Sequence, residues 1–440
     1  MTDTAPTIFA PASGFGRSAV AVFRISGPAT GESLCRLTAR SLPAPRRLVL
    51  RTLREASGGI LDQALVVWMP GPGTFTGEDM AELHLHGGPA VRAAVLQVLA
   101  TCPGCRPAAP GDFTRRAFLN GRLDLTEAEG VADLIEAETE AQRRQALRQL
   151  DGALGRQVAE WRDQIIDLLA SAEATLDFSD EGDVDEDVLE TGLAGKVRSL
   201  RDAIAAALDD GRRGERLRDG FVVVLAGPPN AGKSTLLNAL SRRDAAIVSP
   251  IAGTTRDAIE VRCDLGGLPV LLIDTAGLRE AGDLIEAEGI RRTRARIAQA
   301  DLVLMLDDGS DAGIETELPS PSPPLLRIRT KADRPSFEAT PEALSLSAAT
   351  GQGLDTLLDA IQQRAAEAMG GDCALITRER HREGLTRCRD HLDRVLQGAA
   401  LPELVAEDLR LAVRALGEVT GHVGVEEMLD RLFAGFCIGK

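Results

Sequence analysis

The sequence predicts a multidomain protein of the α/β plus all-α class, for three reasons. At 440 residues the chain is too long for one typical hydrophobic core. Residues 221–369 alternate apolar runs with helical patterns, which is typical of a mostly parallel sheet with helices on both faces. Residues 115–217 and 375–440 are helical in pattern, so the simplest architecture inserts the α/β segment into a helical domain.

Composition excludes several classes of protein. The net charge of −16 is unusual for a protein that coats nucleic acid, so an RNA partner would need a local basic patch or a basic partner protein. The chain shows neither a run of 18 apolar residues nor a basic-then-apolar N-terminus, which argues against a membrane span and a signal peptide. An odd number of cysteines, seven, indicates reduced thiols in a cytoplasmic protein. The isolated pair Cys102 and Cys105 fits a turn better than a zinc or redox site.

The N-terminal domain, residues 1–120, is predicted to mix strands and helices. If Ala81–His86 forms a strand, Glu82, His84 and His86 share one of its faces. These side chains could form a metal site or the polar wall of a pocket. Because no further ligand is evident, the pocket wall is the favoured interpretation.

The helical domain is predicted in two parts, residues 121–215 and 373–440. A capping-box pattern at Thr126–Glu129 indicates the start of a helix. Within the acidic run 177–187, Asp183, Asp185 and Asp187 resemble the start of a calcium loop. The sixth position of such a loop would be Val188 instead of glycine and the twelfth Ala194 instead of glutamate, so a solvated loop between helices is expected.

The inserted domain, residues 216–372, opens with a phosphate-binding pattern. A valine-rich predicted strand, Phe221–Ala226, runs into Gly227–Ser234, a full match to G-x-x-x-x-G-K-[ST], and a helical pattern follows. The glycines allow backbone N–H groups to turn toward a polyphosphate. Lys233 is placed to reach the β- and γ-phosphates, and the hydroxyl of Ser234 to bind Mg²⁺.

Further phosphate-site signals follow along the same domain. A predicted strand ends at Asp274, whose carboxylate is placed to hold Mg²⁺ through water. Gly277 can turn its N–H toward a γ-phosphate, and Thr254 and Thr255 offer hydroxyls that could complete the metal shell.

A base-reading pattern lies near the end of the domain. Thr330-Lys331-Ala-Asp333 resembles the guanine-reading motif N-K-x-D, in which the aspartate accepts two N–H groups that adenine does not offer. Thr330 replaces the usual asparagine, which bears on base affinity and selectivity. Ser345–Ala348 matches the last base-contacting loop of such proteins.

Taken together, these motifs resemble the TrmE-Era-EngA-like translation-factor GTPases and, within them, the family of tRNA-modification GTPases. The resemblance runs nearly end to end. Besides the phosphate loop it rests on six segments, residues 23–28, 76–88, 113–125, 251–257, 274–280 and 436–440.

The resemblance implies an N-terminal tetrahydrofolate-binding domain that also dimerises, a helical domain and an inserted Ras-like P-loop GTPase domain. A homodimer would act with an FAD-dependent partner, MnmG (GidA), in a heterotetramer or larger complex on tRNA. The complex would add a carboxymethylaminomethyl or aminomethyl group at C5 of the wobble uridine, from a formyl- or methylene-tetrahydrofolate. The folate, 5-formyl-tetrahydrofolate or a relative, would contact Arg24, Glu82, Arg122 (usually lysine) and Lys440.

The family's GTPase also implies roles within the inserted domain. K⁺ would replace an arginine finger when two GTPase domains dimerise. Because position 278 is leucine, the water-orienting residue would be Glu286. The implied catalytic residues are Glu286, Lys233, Thr255 and Gly277; the Mg²⁺ ligands are Ser234 and Thr255; the K⁺ ligands are Asn230, Ser249, Ile251 and Thr254. The implied GTP-binding residues are Asn230, Ala231, Gly232, Lys233, Ser234, Thr235, Ser249, Pro250, Ile251, Ala252, Gly253, Thr254, Thr255, Asp274, Thr275, Ala276, Gly277, Thr330, Lys331, Asp333, Ser347 and Ala348.

Three functions stay open at this point. The first is a K⁺-dependent GTPase that drives a tRNA-modifying complex; the second is a regulatory or ribosome-assembly GTPase that binds RNA without modifying it. The third is a folate-dependent one-carbon transferase with a nucleotide-controlled switch. The discriminating features lie outside the inserted domain, in a folate-type pocket around Arg24 and Glu82 and in the C-terminal Cys-Ile-Gly-Lys. Cys437 is either a nucleophile or redox group, or a packing residue.

Overall fold

The computed structural model describes residues 5–14, 16–178, 186–210, 212–243, 246–247, 260–274, 295–309, 323–371, 374–397, 402–423, 426–436 and 439. The chain divides into two compact units. Unit 1 comprises Met1–Ala132, Gly155–Arg162 and Leu416–Lys440, and unit 2 comprises Asp133–Leu154 and Asp163–Ala415. Among the helices that the structure describes, none is long and apolar enough to cross a membrane.

Unit 1 contains a six-stranded, mostly antiparallel sheet with the order β3-β4-β5-β2-β1-β6. Its strands are β1 (Thr7–Pro11), β2 (Ser18–Ser26), β3 (Val49–Arg54), β4 (Ile60–Met69), β5 (Met80–Gly87) and β6 (Cys105–Pro107), and its helices include α1 (Thr30–Thr38), α2 (Pro89–Ala100) and α3 (Asp112–Leu119). Alternate residues of β4, Ala64, Val66 and Trp68, are buried, so one face of the sheet packs on the core. The strand predicted over Ala81–His86 is present as β5.

The remaining described helices are between 7 and 26 residues long. They are α4 (Leu125–Glu136), α5 (Glu140–Leu150), α6 (Ala153–Phe178), α7 (Glu186–Leu208), α8 (Arg213–Asp219), α11 (Glu379–Leu396), α12 (Pro402–Thr420) and α13 (Glu426–Ala434); α9 (Lys233–Ser241) and α10 (Leu354–Met369) lie in the inserted sheet domain. The capping box predicted at Thr126–Glu129 is wrong by two residues. The Asp124 carboxylate accepts from Glu127 N at 2.8 Å and the Glu127 carboxylate accepts from Asp124 N at 2.7 Å. Most of the acidic loop predicted over 177–187 lies outside the described residues.

The second sheet, in unit 2, has the order β12-β11-β10-β7-β9-β8, and only β8 is antiparallel to its neighbour. Its strands are β7 (Phe221–Ala226), β8 (Glu260–Leu265), β9 (Leu268–Asp274), β10 (Leu302–Asp307), β11 (Leu325–Arg329) and β12 (Leu344–Ser345); α9 (Lys233–Ser241) and α10 (Leu354–Met369) pack on it. The predicted fold class is confirmed. Because β7, β9, β10 and β11 are parallel, their carboxyl ends meet at one edge, where ligands bind in such sheets.

Candidate nucleotide-binding site

The loop between β7 and α9 needs glycine at both of its ends. Gly227 has φ +140°, and an added Cβ would lie 2.3 Å from the carbonyl oxygen of Leu306. Gly232, with φ +95°, is the residue that precedes α9. Asn230, between them, also adopts a positive φ, +62°. The loop therefore turns tightly enough to present backbone N–H groups at the start of a helix, which is a ready anion site.

Lys233 lies across this loop. Its side chain is largely buried, with the residue 7% exposed, and Nζ donates to the carbonyl oxygens of Gly227 and Pro228, both at 2.8 Å. An ammonium group in this position neutralises charge on a phosphate chain bound in the loop. The structure thus places the Lys233 ammonium inside the loop, and its role toward the phosphates stays a prediction.

Ser234 and Asp274 meet at the same edge of the sheet. The Ser234 hydroxyl donates to Asp274 Oδ2 at 2.6 Å, and Asp274 is fully buried at the end of β9. A hydroxyl and a carboxylate are the hard oxygen ligands that Mg²⁺ prefers. These two residues, 40 positions apart, fit a magnesium site beside the phosphate loop.

The base-reading segment, Thr330–Asp333, is linked to the phosphate loop, Gly227–Ser234, by a hydrogen bond of Thr330. This residue is buried, and its hydroxyl donates to the carbonyl oxygen of Ala231 at 2.8 Å. Its backbone N–H donates to the carbonyl oxygen of Asp307 at 2.8 Å. Threonine in place of asparagine therefore links the two loops by a hydroxyl.

Asp333 is held by the loop that follows β12. The hydroxyl of Ser347, a fully buried residue, donates to Asp333 Oδ1 at 2.6 Å. That hydrogen bond is the main reason that the pKa of the Asp333 carboxyl is lowered from its usual value. The carboxylate therefore stays ionised, and able to accept N–H groups from a base, to lower pH than an isolated aspartate. Ala348, next in the loop, packs against the core of the sheet domain.

Sequence reasoning missed an acidic residue at this edge. Asp308 follows β10 directly, and its carboxylate forms an ion pair with the Lys331 ammonium. The adjacent Asp307 pairs instead with Arg329. An available signal was an acid at the end of a buried strand, the same signal that identified Asp274.

Several predicted residues lie outside the described part of the chain and have no structural account here. They are Ser249, Pro250, Ile251, Ala252, Gly253, Thr254, Thr255, Thr275, Ala276, Gly277, Glu286, Cys437 and Lys440. Their predicted roles stay predictions.

Replacing Thr330 by valine is expected to weaken guanine-nucleotide binding about threefold to tenfold, because a buried hydrogen bond contributes about 0.5–1.5 kcal/mol. Valine keeps the shape of threonine and removes the donor to Ala231. Titration with fluorescent GDP measures the change. Thr330→Ser, which keeps the hydroxyl, is the matched control and should bind close to the unsubstituted protein. A valine variant that binds as tightly as the serine variant would show that the hydroxyl link is dispensable.

In unit 1, Arg24 and Glu82 face each other on β2 and β5. Arg24 Nε and Nη2 donate to Glu82 Oε1 at 3.2 and 3.1 Å. The guanidinium carbon lies 5.8 Å from the ring centre of Phe75 and 5.9 Å from that of Phe113. His84 Nε2 lies 3.5 Å from Glu82 Oε2. Arg24, Glu82 and His84, each partly exposed, thus form a row of charged groups beside the two aromatic rings, and its role as a pocket wall stays a prediction.

Arg122 lies against the loop that precedes β5. A Cβ added to Gly77 would be 3.3 Å from Arg122 Cγ, and the amide of Asn120 donates to the carbonyl oxygen of Thr76 at 2.7 Å. The same loop carries Phe75, which contacts Arg24. The structure therefore connects Arg122 to this row through a shared loop.

The C-terminus approaches the same sheet. Gly439 has φ +95°, and an added Cβ would lie 2.1 Å from the carbonyl oxygen of Pro11. Pro11 is one register position from the residue that pairs with Arg24. Residue 439 thus lies near the row although it is more than 400 positions away in sequence.

Arg116, which sequence reasoning missed, holds this region together. Its guanidinium donates to Glu78 Oε2 at 2.8 Å, to the carbonyl oxygen of Ser26 at 3.2 Å and to that of Pro6. The Ser26 hydroxyl lies 2.7 Å from that of Thr76. A buried arginine with three acceptors fixes the end of β2 against the loop before β5. No local signal in the sequence distinguishes it from other arginines.

The described residues of unit 1 give no support to the alternative interpretation of a metal site. Within the described ranges, no group of three or more His, Cys, Asp or Glu residues could hold a metal ion. His86 Nδ1 instead lies 2.7 Å from Asp62 Oδ1. Cys105 N donates to the carbonyl oxygen of Cys102 at 3.2 Å, as in a turn, and burial raises the pKa of the Cys102 thiol.

Two family models and several known proteins match this chain. A model of the GTP-binding protein TrmE N-terminus matches residues 7–122, and a model of the MnmE helical domain matches residues 125–437. The "tRNA modification GTPase MnmE" of Methylorubrum populi is 71% identical over 449 residues and covers 100% of both chains. The protein of the same name from Methylobacterium radiotolerans is 66% identical, and the match covers 99% of both chains. The one from Rhodospirillum rubrum is 52% identical, and the match covers 99% of this chain and 100% of that protein.

Proposed function

This chain belongs to the MnmE family of tRNA modification GTPases, and on that basis we propose that GTP hydrolysis at the loop between β7 and α9 drives the modification of a tRNA base. The observation that carries the proposal is the meeting of Lys233, Ser234 and Asp274 at the carboxyl edge of a parallel sheet. An ammonium, a hydroxyl and a carboxylate in that order suit a magnesium-bound triphosphate.

The Lys233 ammonium and the backbone N–H groups of the loop are the proposed phosphate-binding groups. The Lys233 ammonium exchanges its two loop carbonyls for phosphate oxygens, and the N–H groups of the loop donate to the same chain of phosphates. Mg²⁺, when bound, neutralises charge on the β- and γ-phosphates. Ser234 and Thr255 would hold it, with Asp274 behind them through water.

Residues outside the described ranges complete the hydrolysis step in this proposal. Glu286 orients the attacking water, since Leu278 has no polar group to do so. Gly277 donates its N–H to the γ-phosphate. Two GTPase domains would dimerise across their nucleotides; Asn230 and the loop Ser249–Thr254 would hold K⁺, which would supply the positive charge of an arginine finger.

The base-reading loop selects guanine in the proposed complex. Asp333, kept ionised by Ser347, accepts two N–H groups from the base edge. Lys331 and Thr330 complete the segment, the latter through its hydrogen bond to the phosphate loop.

The N-terminal domain, residues 1–120, is the proposed tetrahydrofolate site. Arg24 and Glu82 would offer donors and acceptors to a pterin edge, and Arg122 and Lys440 would add positive charge for an anionic tail. The domain is also the proposed homodimer interface. Its support is an apolar cross-strand pair, Leu50 and Leu65, 63% and 43% exposed.

Membership of the MnmE family is also the basis for the proposed larger assembly. The helical parts, residues 121–215 and 373–440, flank the GTPase domain, residues 216–372. The homodimer acts in the cytoplasm with FAD-dependent MnmG, and one carbon unit from the folate reaches C5 of the wobble uridine as part of a carboxymethylaminomethyl or aminomethyl group.

GTP hydrolysis in KCl against NaCl tests the proposal. We expect potassium to raise the rate at least about tenfold and Glu286→Ala to lower it about 100-fold, the range for a lost water-activating group. Glu288→Ala, two residues further along, is the matched control and should stay active. Equal rates in the two salts would favour the regulatory GTPase, and an active Glu286→Ala variant would remove that residue from the mechanism.

A further inference from the structure

An acidic residue lies behind the base-reading segment. In the parallel pair β10 and β11, Asp307 is in register with Arg329, so Asp308 lies beside the first residues of the motif. There its carboxylate forms an ion pair with the Lys331 ammonium. The side chains of Asp308 and Lys331 are 10% and 23% exposed, so water screens the pair only in part.

The backbone of Lys331 is held in an unusual conformation. Its φ is +61°, in the left-handed region that residues with a Cβ seldom adopt. Two hydrogen bonds maintain it: Ala332 N donates to the carbonyl oxygen of Leu346, and Arg334 N to that of Lys331, both at 3.0 Å. Such positions persist at binding sites because the surrounding structure holds them.

These backbone hydrogen bonds do not fix the conformation of the Lys331 side chain. Lysine carries a flexible four-carbon stem, and ordering it on binding lowers affinity. In this structure Asp308 already orders it. We propose that Asp308 is a positioning residue for guanine-nucleotide binding, which holds the Lys331 ammonium in place before the nucleotide arrives.

The neighbouring acid provides the comparison. Asp307 is next in sequence and pairs with an arginine, but its carboxylate is 54% exposed and its partner, Arg329, is not part of the motif. Asp307→Asn therefore removes one charge at the same edge without touching Lys331. Asp308→Asn removes the charge that faces it.

The experiment is a titration of the full-length protein with fluorescent GDP, followed by GTP hydrolysis at several GTP concentrations. We expect Asp308→Asn to weaken GDP binding and raise the KM for GTP about threefold to tenfold, with kcat little changed, since the reacting phosphates are not touched. Asp307→Asn should bind as the unsubstituted protein does. Asp308→Glu, which keeps the charge, should restore part of the affinity.

A double substitution tests whether Asp308 acts through Lys331. If it does, Asp308→Asn combined with Lys331→Ala binds no more weakly than Lys331→Ala alone. Additive losses, an equal loss in Asp307→Asn, or unchanged GDP binding in Asp308→Asn would each overturn the inference. It rests on the nucleotide binding proposed above, and the two fail differently: an unsubstituted protein that binds no GDP contradicts the proposed function itself.

Discussion

Replacing Lys233 by alanine is expected to slow GTP hydrolysis by at least about 100-fold, as is usual when a group that stabilises developing charge is lost. Lys233 is one of only four lysines in the chain, and its ammonium already lies inside the loop, 2.8 Å from two carbonyl oxygens. Single-turnover hydrolysis of GTP by the purified protein measures the effect, and thermal unfolding checks that the variant is folded.

Two further variants test whether hydrolysis depends on the charge of Lys233 alone or also on the shape and place of its ammonium group. Lys196→Ala removes an exposed lysine of α7 and should leave hydrolysis unchanged. Lys233→Arg keeps the charge, but a planar guanidinium does not fit the place of a compact ammonium between Gly227 and Pro228, so it should also be slow. An arginine variant with full activity would mean that only the charge of this residue matters.

The second large effect is expected at Asp133, near the end of α4. One oxygen of its carboxylate, Oδ1, accepts from Arg218 Nε at 2.9 Å and from Arg378 Nη2 at 2.6 Å. Arg218 is in the segment that leads into β7, and Arg378 follows the last helix of the sheet domain. The Asp133 side chain, 10% exposed, thus joins the segment before β7 and the segment after α10 to α4.

Asp133→Ala would leave two partly buried arginines without this shared acceptor. Removal of one partner from a buried ion pair costs several kcal/mol, and because a cavity of about 280 Å³ borders Asp133 and Arg218, we reduce the expected loss to about 2 kcal/mol. For a unit of this size the midpoint of thermal unfolding should fall by about 4–8 °C.

Calorimetry of the full chain measures this change. Glu136→Ala, one turn further along α4 at an exposed position, is the matched control and should shift the midpoint little. An Asp133→Ala midpoint equal to that of the control would show that water replaces the carboxylate without cost.

Much of the fold was predictable because its signals are local. The valine-rich run of β7, the glycine loop and the helix after it are contiguous, so spacing alone predicted the order of strand, loop and helix around Lys233 and Ser234. The shared face of Glu82 and His84 was predicted on the condition that Ala81–His86 is a strand, and β5 meets that condition. At the start of α4 two overlapping acid patterns compete, and the structure selects Asp124 and Glu127 over Thr126 and Glu129.

The rest of the site depends on pairings between distant residues. The chain has 66 acidic and 50 basic residues other than histidine, and no local pattern says which of them meet when they lie on distant segments. Asp308 pairs with a lysine 23 positions away, and Asp133 with arginines 85 and 245 positions away. Arg116 likewise reaches an acceptor 90 positions away.

The sequence by itself determined where the motifs of this protein lie and which roles they predict: a phosphate loop, a metal-binding hydroxyl at Ser234 and a guanine-reading carboxylate at Asp333. Each of these depends on a few consecutive residues whose backbone and side-chain geometry is local. Only the tertiary structure decided which charged groups hold those residues in place, such as Asp308 behind Lys331 and Ser347 behind Asp333. The physical reason is that a side-chain hydrogen bond forms over about 3 Å in space, and strand order, not sequence distance, determines which groups come that close.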